Sequence, residues 1–292
     1  MTEPKRKVPP KIAPPKDGDD MYGIGAPAAA PLPEVDRGIE ELLRRQKLRL
    51  ESGEKPPPPP AHFLAGVFRF PWYLPSLGPW VLSSIGLALS LMGVMLAVWL
   101  VDSGLTMAAY AMRFSICWVI AFSLAYVSRC VLAIIEGTAA GNDAIAEWPE
   151  GDWRELLLSL VYPVGTLVFA CLVGWAVDLL TLRQSWAAPL AAGFLVYPVF
   201  LLSAIESGSV LGIISRPILR TCLDVWWGWL IVYALSAAMI AGWLACVTAF
   251  FPHEPFFTAG VSGPILATIL FLYARLLGRL AWWGQKVAAD RD

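Results

Sequence analysis

Pro79-Trp-Val-Leu-Ser-Ser-Ile-Gly-Leu-Ala-Leu-Ser-Leu-Met-Gly-Val-Met-Leu-Ala-Val-Trp-Leu-Val101 runs 23 residues without one charged side chain. A bilayer's hydrocarbon core, about 30 Å thick, is crossed by about 20 such residues in a helix. Five further stretches repeat the pattern: Phe114–Ser128 (extended by Cys130–Ile135), Leu156–Val177, Gln184–Ile205, Val225–His253 and Pro255–Ala274. Together they specify an all-α fold, a polytopic membrane bundle of six transmembrane helices. The spans are expected near residues 79–101, 110–135, 154–180, 186–205, 225–251 and 259–280, within a membrane domain of 79–283 and before a short tail of 284–292. The lipid bilayer is therefore the first partner the sequence names.

Composition agrees. Hydrophobic residues make up 57% of the chain, above the range of soluble domains. Tryptophan gathers at the span ends, among others Trp72, Trp80, Trp99, Trp148, Trp153, Trp186, Trp226, Trp227, Trp282 and Trp283. Indoles favour the headgroup level because an apolar body carries a polar N–H. The five cysteines, Cys117, Cys130, Cys171, Cys222 and Cys246, follow no CxxC or zinc spacing and read as small apolar residues. Cys222 alone lies in a loop beside the membrane, where acylation is the functional alternative.

Residues 1–62 read differently. Proline, alanine, glycine and lysine dominate 1–34, and too little apolar surface is present to offset the entropy of ordering. A disordered, Pro-rich tail is expected, with no apolar segment of signal-peptide type, so the first span acts as its own insertion signal. Within it, residues 36–51 carry a helical pattern: Asp36 as cap, Ile39, Leu42, Leu43 and Leu50 at helical spacing, and the i,i+4 pairs Glu40–Arg44 and Glu41–Arg45. A helix this short is marginal alone. It either meets a protein partner, another copy (a homo-oligomer) or the membrane face, or stays solvated and partly helical. Pro56–Pro60 is a stiff polyproline II rod, suited to an aromatic groove on a partner or to spacing the helix from the bilayer. The aromatic stretch 63–78, broken by Pro71 and Pro75, reads as an elbow in the headgroup layer.

Orientation follows from the basic residues. Twelve of the 22 Lys and Arg lie before residue 70, and Arg129, Arg154, Arg216, Arg220, Arg275, Arg279, Lys286 and Arg291 fall on the same side if six spans are threaded. Only Arg113 and Arg183 fall opposite. Positive charge is retained inside, so both termini are expected in the cytoplasm of a cell carrying the protein in its inner membrane. The longer inner loops, about 136–153 and 206–224, hold the polar residues singled out as functional or anchoring: Glu136, Asp143, Trp148, Asp152 and Trp153 in the first, and Glu206, Arg216 and Arg220 in the second. In the second loop, Pro217 suits a first helical turn, and Arg216 and Arg220 share a face beside Ile218, Leu219 and Leu223. An interfacial or shallow re-entrant segment follows. Spans two and four end alike, Ile135-Glu136-Gly137 and Ile205-Glu206-Ser207, a faint sign of repeated helix hairpins.

Gly141-Asn-Asp-Ala-Ile-Ala-Glu-Trp-Pro-Glu-Gly-Asp-Trp-Arg-Glu-Leu156 resembles a pattern in prokaryotic multi-span proteins of unknown function (the DUF 4013 type), in which a Gly-x-Asp turn, an acidic Pro/Trp stretch and Asp-Trp lead into a membrane helix. The order Trp148-Pro149 departs from that pattern. Such families have no assigned activity, so the resemblance implies a membrane topology and no chemistry.

No HExxH, GxSxG or Gly-rich phosphate loop occurs. The two histidines, His62 and His253, fall on opposite sides of the expected membrane. Neither a metal, a cofactor, a nucleic acid nor catalysis is expected. Charges within or flanking spans map near boundaries, where snorkelling or pairing lowers their cost, with Glu136 or Glu206 as partners for Arg275, Arg279 or Arg129. Two functional readings remain. One is a non-enzymatic membrane protein whose tail and interfacial loops recruit or organise partners. The other is a small transporter or channel of helix hairpins, with a cavity lined by Tyr126, Thr166, Tyr233, Ser236 and Thr268.

Overall fold

The computed structural model describes residues 63–142, 145, 148, 153–180, 187–251 and 254–290, all within the unit Lys55–Asp292. The tail of 1–62, with its 36–51 segment and Pro56–Pro60, lies outside the described residues, as do Arg183, Trp186 and His253. Regular structure among the described residues is helical: a 3-10 turn at Phe70–Trp72, then α1 (Leu74–Asp102), α2 (Thr106–Ala139), α3 (Trp153–Leu180), α4 (Ala187–Ser207), α5 (Arg216–Asp224), α6 (Trp226–Phe250) and α7 (Pro255–Ala289). All but the short α5 are long and apolar enough to cross a membrane. The chain is a six-helix integral membrane protein.

Several helices outrun the apolar stretches that announce them. α1 begins at Leu74 because Tyr73 is extended (φ −69°, ψ 138°) and Pro75 occupies the first turn, where a missing N–H costs nothing. α2 and α7, with 34 and 35 residues, each measure about 50 Å at 1.5 Å per residue, so they project well beyond the hydrocarbon layer. α1 and α2 form a hairpin closed by Gly104 at φ +77°; α3 and α4 form a second.

α7 is the hub. It packs along α1 and α2 and, less extensively, α6, while the α3–α4 hairpin joins through α2. Contact with α1 and α2 is close enough to demand glycine. A Cβ on Gly263 would lie 2.6 Å from Ser84 O and Ala88 N of α1, and one on Gly278 would lie 2.6 Å from Thr138 Cβ and 2.8 Å from Ile135 O of α2. Small residues at such crossings let backbones approach where lipid supplies no hydrophobic drive for helix association. The fully buried residues Ile134, Ile135, Leu201, Phe271, Leu276, Leu277 and Leu280 gather toward the end of the bundle where the chain leaves α7. Elsewhere the spans bare Leu82, Phe114, Trp118, Leu158, Leu190, Leu230 and Leu244, as a lipid-facing surface requires. α6 is the least enclosed, with 11% of its apolar stretch buried against 44% for α2.

The elbow packs one of its faces against the bundle. Gly66, at φ +77°, turns the chain so that Phe63, Val67 and Phe70 are buried in the bundle while Leu64, Phe68 and Trp72 face outward. The reason lies in α7. Arg275 and Arg279, expected at a boundary, are 1% and 2% exposed. Arg275 Nη1 donates to Thr138 Oγ1 at 2.8 Å and to Asn142 O at 3.3 Å, and its guanidinium sits 4.7 Å from the Phe70 ring centroid. Arg279 Nη1 donates to Phe63 O at 2.9 Å. Buried guanidinium groups need acceptors at their donors, and these contacts supply them at Nη1 of each. These two therefore spend part of their charge fastening the elbow and the end of α2 to α7. Among the described residues neither pairs with Glu136 or Glu206, both of which are exposed; Arg129 instead meets Glu155 at 3.9 Å.

Candidate functional site

Four of the eight residues singled out from the sequence converge. α2 ends beside Glu136 and α4 beside Glu206. After α4, Gly208 at φ +62° reverses the chain, and Ser215 brings it back: its N–H donates to Ser203 Oγ at 3.3 Å and its hydroxyl donates to the Glu206 carboxylate. With Ser215 fixed and extended, Pro217 enters the first turn of α5. Ile218 is buried as the anchor of that helix, Trp229 Nε1 donates to Thr221 Oγ1 at 3.4 Å, and Thr221 packs against Gly284 of α7. Arg216 and Arg220, one turn apart, are left exposed.

The result is a cleft of about 820 Å3 between the ends of α2, α4 and α7 and the length of α5. Its charged wall comprises Glu136, Glu206, Arg216, Arg220 and Asp224; its apolar floor includes Ile135, Leu202, Ile205 and Ile218. Among the described residues Arg216, Arg220 and Glu136 have no ion-pair partner within 4 Å. Glu136 also faces a second cavity, of about 440 Å3, lined by Arg129, Glu155, Ser159, Tyr162 and Gly208, across which Tyr162 Oη donates to Gly208 O at 3.0 Å. Cys222 lies on α5, half-buried, and burial pushes its thiol up from the ordinary value, which opposes nucleophilic reaction.

The first inner loop contributes elsewhere. Trp148 is half-buried and stacks on Phe271, centroids 6.3 Å apart, and Ile145 is buried beside it. Trp148 thus packs against α7 instead of lining the cleft. Asp143 and Asp152 lie outside the described residues. Trp153 opens α3, its side chain also outside the description. Reading the sequence missed Arg275 and Arg279 as a pair within the bundle; the available signal was their i,i+4 spacing on one face of an apolar helix, an expensive placement.

Of the five residues expected to line a transport pathway, Thr166, Tyr233 and Thr268 donate to backbone carbonyls, and Thr166 and Ser236 are buried. Thr166, fully buried, donates to Tyr162 O and Pro163 O of its own helix. Thr268 donates to Pro264 O at 2.8 Å and accepts from Trp80 Nε1 at 3.0 Å. Tyr233 Oη donates to Leu195 O at 2.5 Å, and Ser236 is buried. None of these five residues, Tyr126 included, lines either of the two cavities named above. No group of three or more His, Cys, Asp or Glu side chains able to hold a metal occurs among the described residues. Comparison with protein-family models, curated proteins and solved structures finds no match.

Proposed function

We propose that this six-span protein acts without catalysis, as a membrane anchor that organises partners at the face where the chain enters the bundle at Phe63 and leaves it at α7. The observation that carries this reading is the collection of Glu136, Glu206, Arg216, Arg220 and Asp224 around one cleft at that end, while hydroxyls inside the spans turn back on their own helices, as Ser84 does on Trp80 O and Ser90 on Gly86 O. The excess of Lys and Arg on that side supports a cytoplasmic orientation. In this reading the N-terminal 36–51 segment and Pro56–Pro60 are the recruiting elements.

The test is affinity purification of crosslinked complexes from native membranes. The full chain is compared with one lacking residues 1–60 and with one carrying neutral residues at Glu136, Glu206, Arg216 and Arg220. Partners retained by the full chain and lost from the tail deletion are expected. Identical partners from all three chains would remove the recruiting role.

A further inference from the structure

The geometry points to the α5 cleft as a binding site for the headgroup of a bilayer phospholipid carrying a phosphodiester and a primary ammonium, that is, a phosphatidylethanolamine. The cleft opens at the ends of the spans α2, α4 and α7, the level at which headgroups sit beside helices that cross a bilayer. α5 is amphipathic: Ile218 is buried, while Leu219 and Leu223, 45% and 79% exposed, stand beside exposed Arg216 and Arg220, the signature of a helix in the interface plane. The cleft volume of about 820 Å3 accommodates a headgroup, its glycerol and the first acyl carbons.

Charge selects the occupant. Arg216 and Arg220 stand on one helix and offer paired guanidinium forks, which suit a phosphate. Glu136 and Glu206 come from the ends of two other helices, and Glu206 is held in place by the Ser215 hydroxyl. Arg216, Arg220 and Glu136 make no ion pair with one another among the described residues, so both signs stand open to a ligand carrying both. An anionic phosphatidylglycerol would leave the carboxylates without a counter-charge. A choline headgroup calls for an aromatic cage, and none of the cleft's lining residues is aromatic. A primary ammonium, with three donors, needs carboxylates instead. The apolar floor ties the ligand to a lipid and not to a free phosphoester. This assignment is independent of whether a protein engages the N-terminal tail.

The full chain, in detergent, is titrated with short-chain phosphatidylethanolamine, phosphatidylcholine, phosphatidylglycerol and soluble O-phosphoethanolamine, and bound adducts are counted by native mass spectrometry. Phosphatidylethanolamine is expected to be retained about tenfold better than phosphatidylcholine, the discrimination of one charge-assisted contact. The R216Q/R220Q variant loses retention of all three lipids. E136Q/E206Q loses only the preference, and its unchanged phosphatidylcholine retention reports an intact fold. R113Q, at the opposite end of the bundle, changes nothing. The proposal is overturned by equal retention of the two zwitterionic lipids, by a preference that survives either double variant, by loss of phosphatidylcholine from E136Q/E206Q, by an R113Q effect of the same size, or by O-phosphoethanolamine binding as well as the lipid.

Discussion

Gly278→Ala probes the crossing on which the bundle depends. The new Cβ would stand 2.8 Å from Ile135 O and 2.6 Å from Thr138 Cβ, where ordinary contact begins at 3.4 Å. α2 and α7 would have to part by about 0.6–0.8 Å, the difference between those values. One of the two atoms is backbone and cannot swing aside, and Arg275 donates to Thr138 less than one turn away. Overpacking of this kind costs about 1–3 kcal/mol. Alanine's greater helix propensity returns up to about 1 kcal/mol; from the middle of the overpacking range, about 2 kcal/mol, the net loss is about 1–2 kcal/mol. On the scale of about 2–4 °C per kcal/mol for a chain of this size, the detergent-solubilised protein should melt about 2–8 °C lower. Gly242→Ala on α6 is the internal control, because nothing lies within 4 Å of its added carbon; propensity alone acts there, and melting should hold or rise. Circular dichroism on both variants decides the matter. A Gly278→Ala protein that melts at or above the parent, or a Gly242→Ala protein that falls as far, would refute the close α2–α7 packing.

Arg279→Met removes the donor to Phe63 O, a charge-assisted bond worth about 1.5–3 kcal/mol, and hydrogen exchange at Val67 and Phe70 should accelerate by roughly tenfold or more; unchanged exchange would detach the elbow from α7. Trp80→Phe deletes the Nε1–Thr268 contact between α1 and α7 at 3.0 Å and should lower stability by about 0.5–1.5 kcal/mol, read as a lower melting temperature in detergent. With the other cysteines replaced by alanine, maleimide labelling of Cys222 should reach half-rate above the pH of an ordinary thiol, because burial raises its folded pKa, and should return to the ordinary pH on denaturation. The sign carries into stability: the folded state keeps a proton that the unfolded chain releases, so this contribution is intact below the ordinary thiol pKa and is lost as pH rises above it.

The spans were legible because each is a long apolar run, broken in the second by Arg129 alone between Phe114 and Ile135. α5 was legible too, since Pro217 and the Arg216/Arg220 spacing announce a short interfacial helix. Helix arrangement was not. In lipid an apolar residue facing a neighbour and one facing an acyl chain look alike, so nothing local marks Gly263 or Gly278 as contact points, or sets Glu136 and Glu206 across one cleft from α5. The similar ends of the second and fourth spans hinted at that convergence without giving its geometry. The burial of Arg275 and Arg279 was not legible either, because the groups that receive them, Thr138 Oγ1, Asn142 O, Phe63 O and the Phe70 ring, come from distant parts of the chain. The elbow's inward face was hidden for the same reason, its partner being more than two hundred residues away.

Dual-reporter fusions probe the proposed threading, six crossings with both ends of the chain in the cytoplasm. One is placed before residue 1, one after residue 292 and one in the turn at Gly104, between α1 and α2. Fluorescent reporter at both ends, with periplasm-dependent phosphatase activity only at the turn, is the predicted result. Phosphatase activity at either terminus, or fluorescence at the turn, would contradict it.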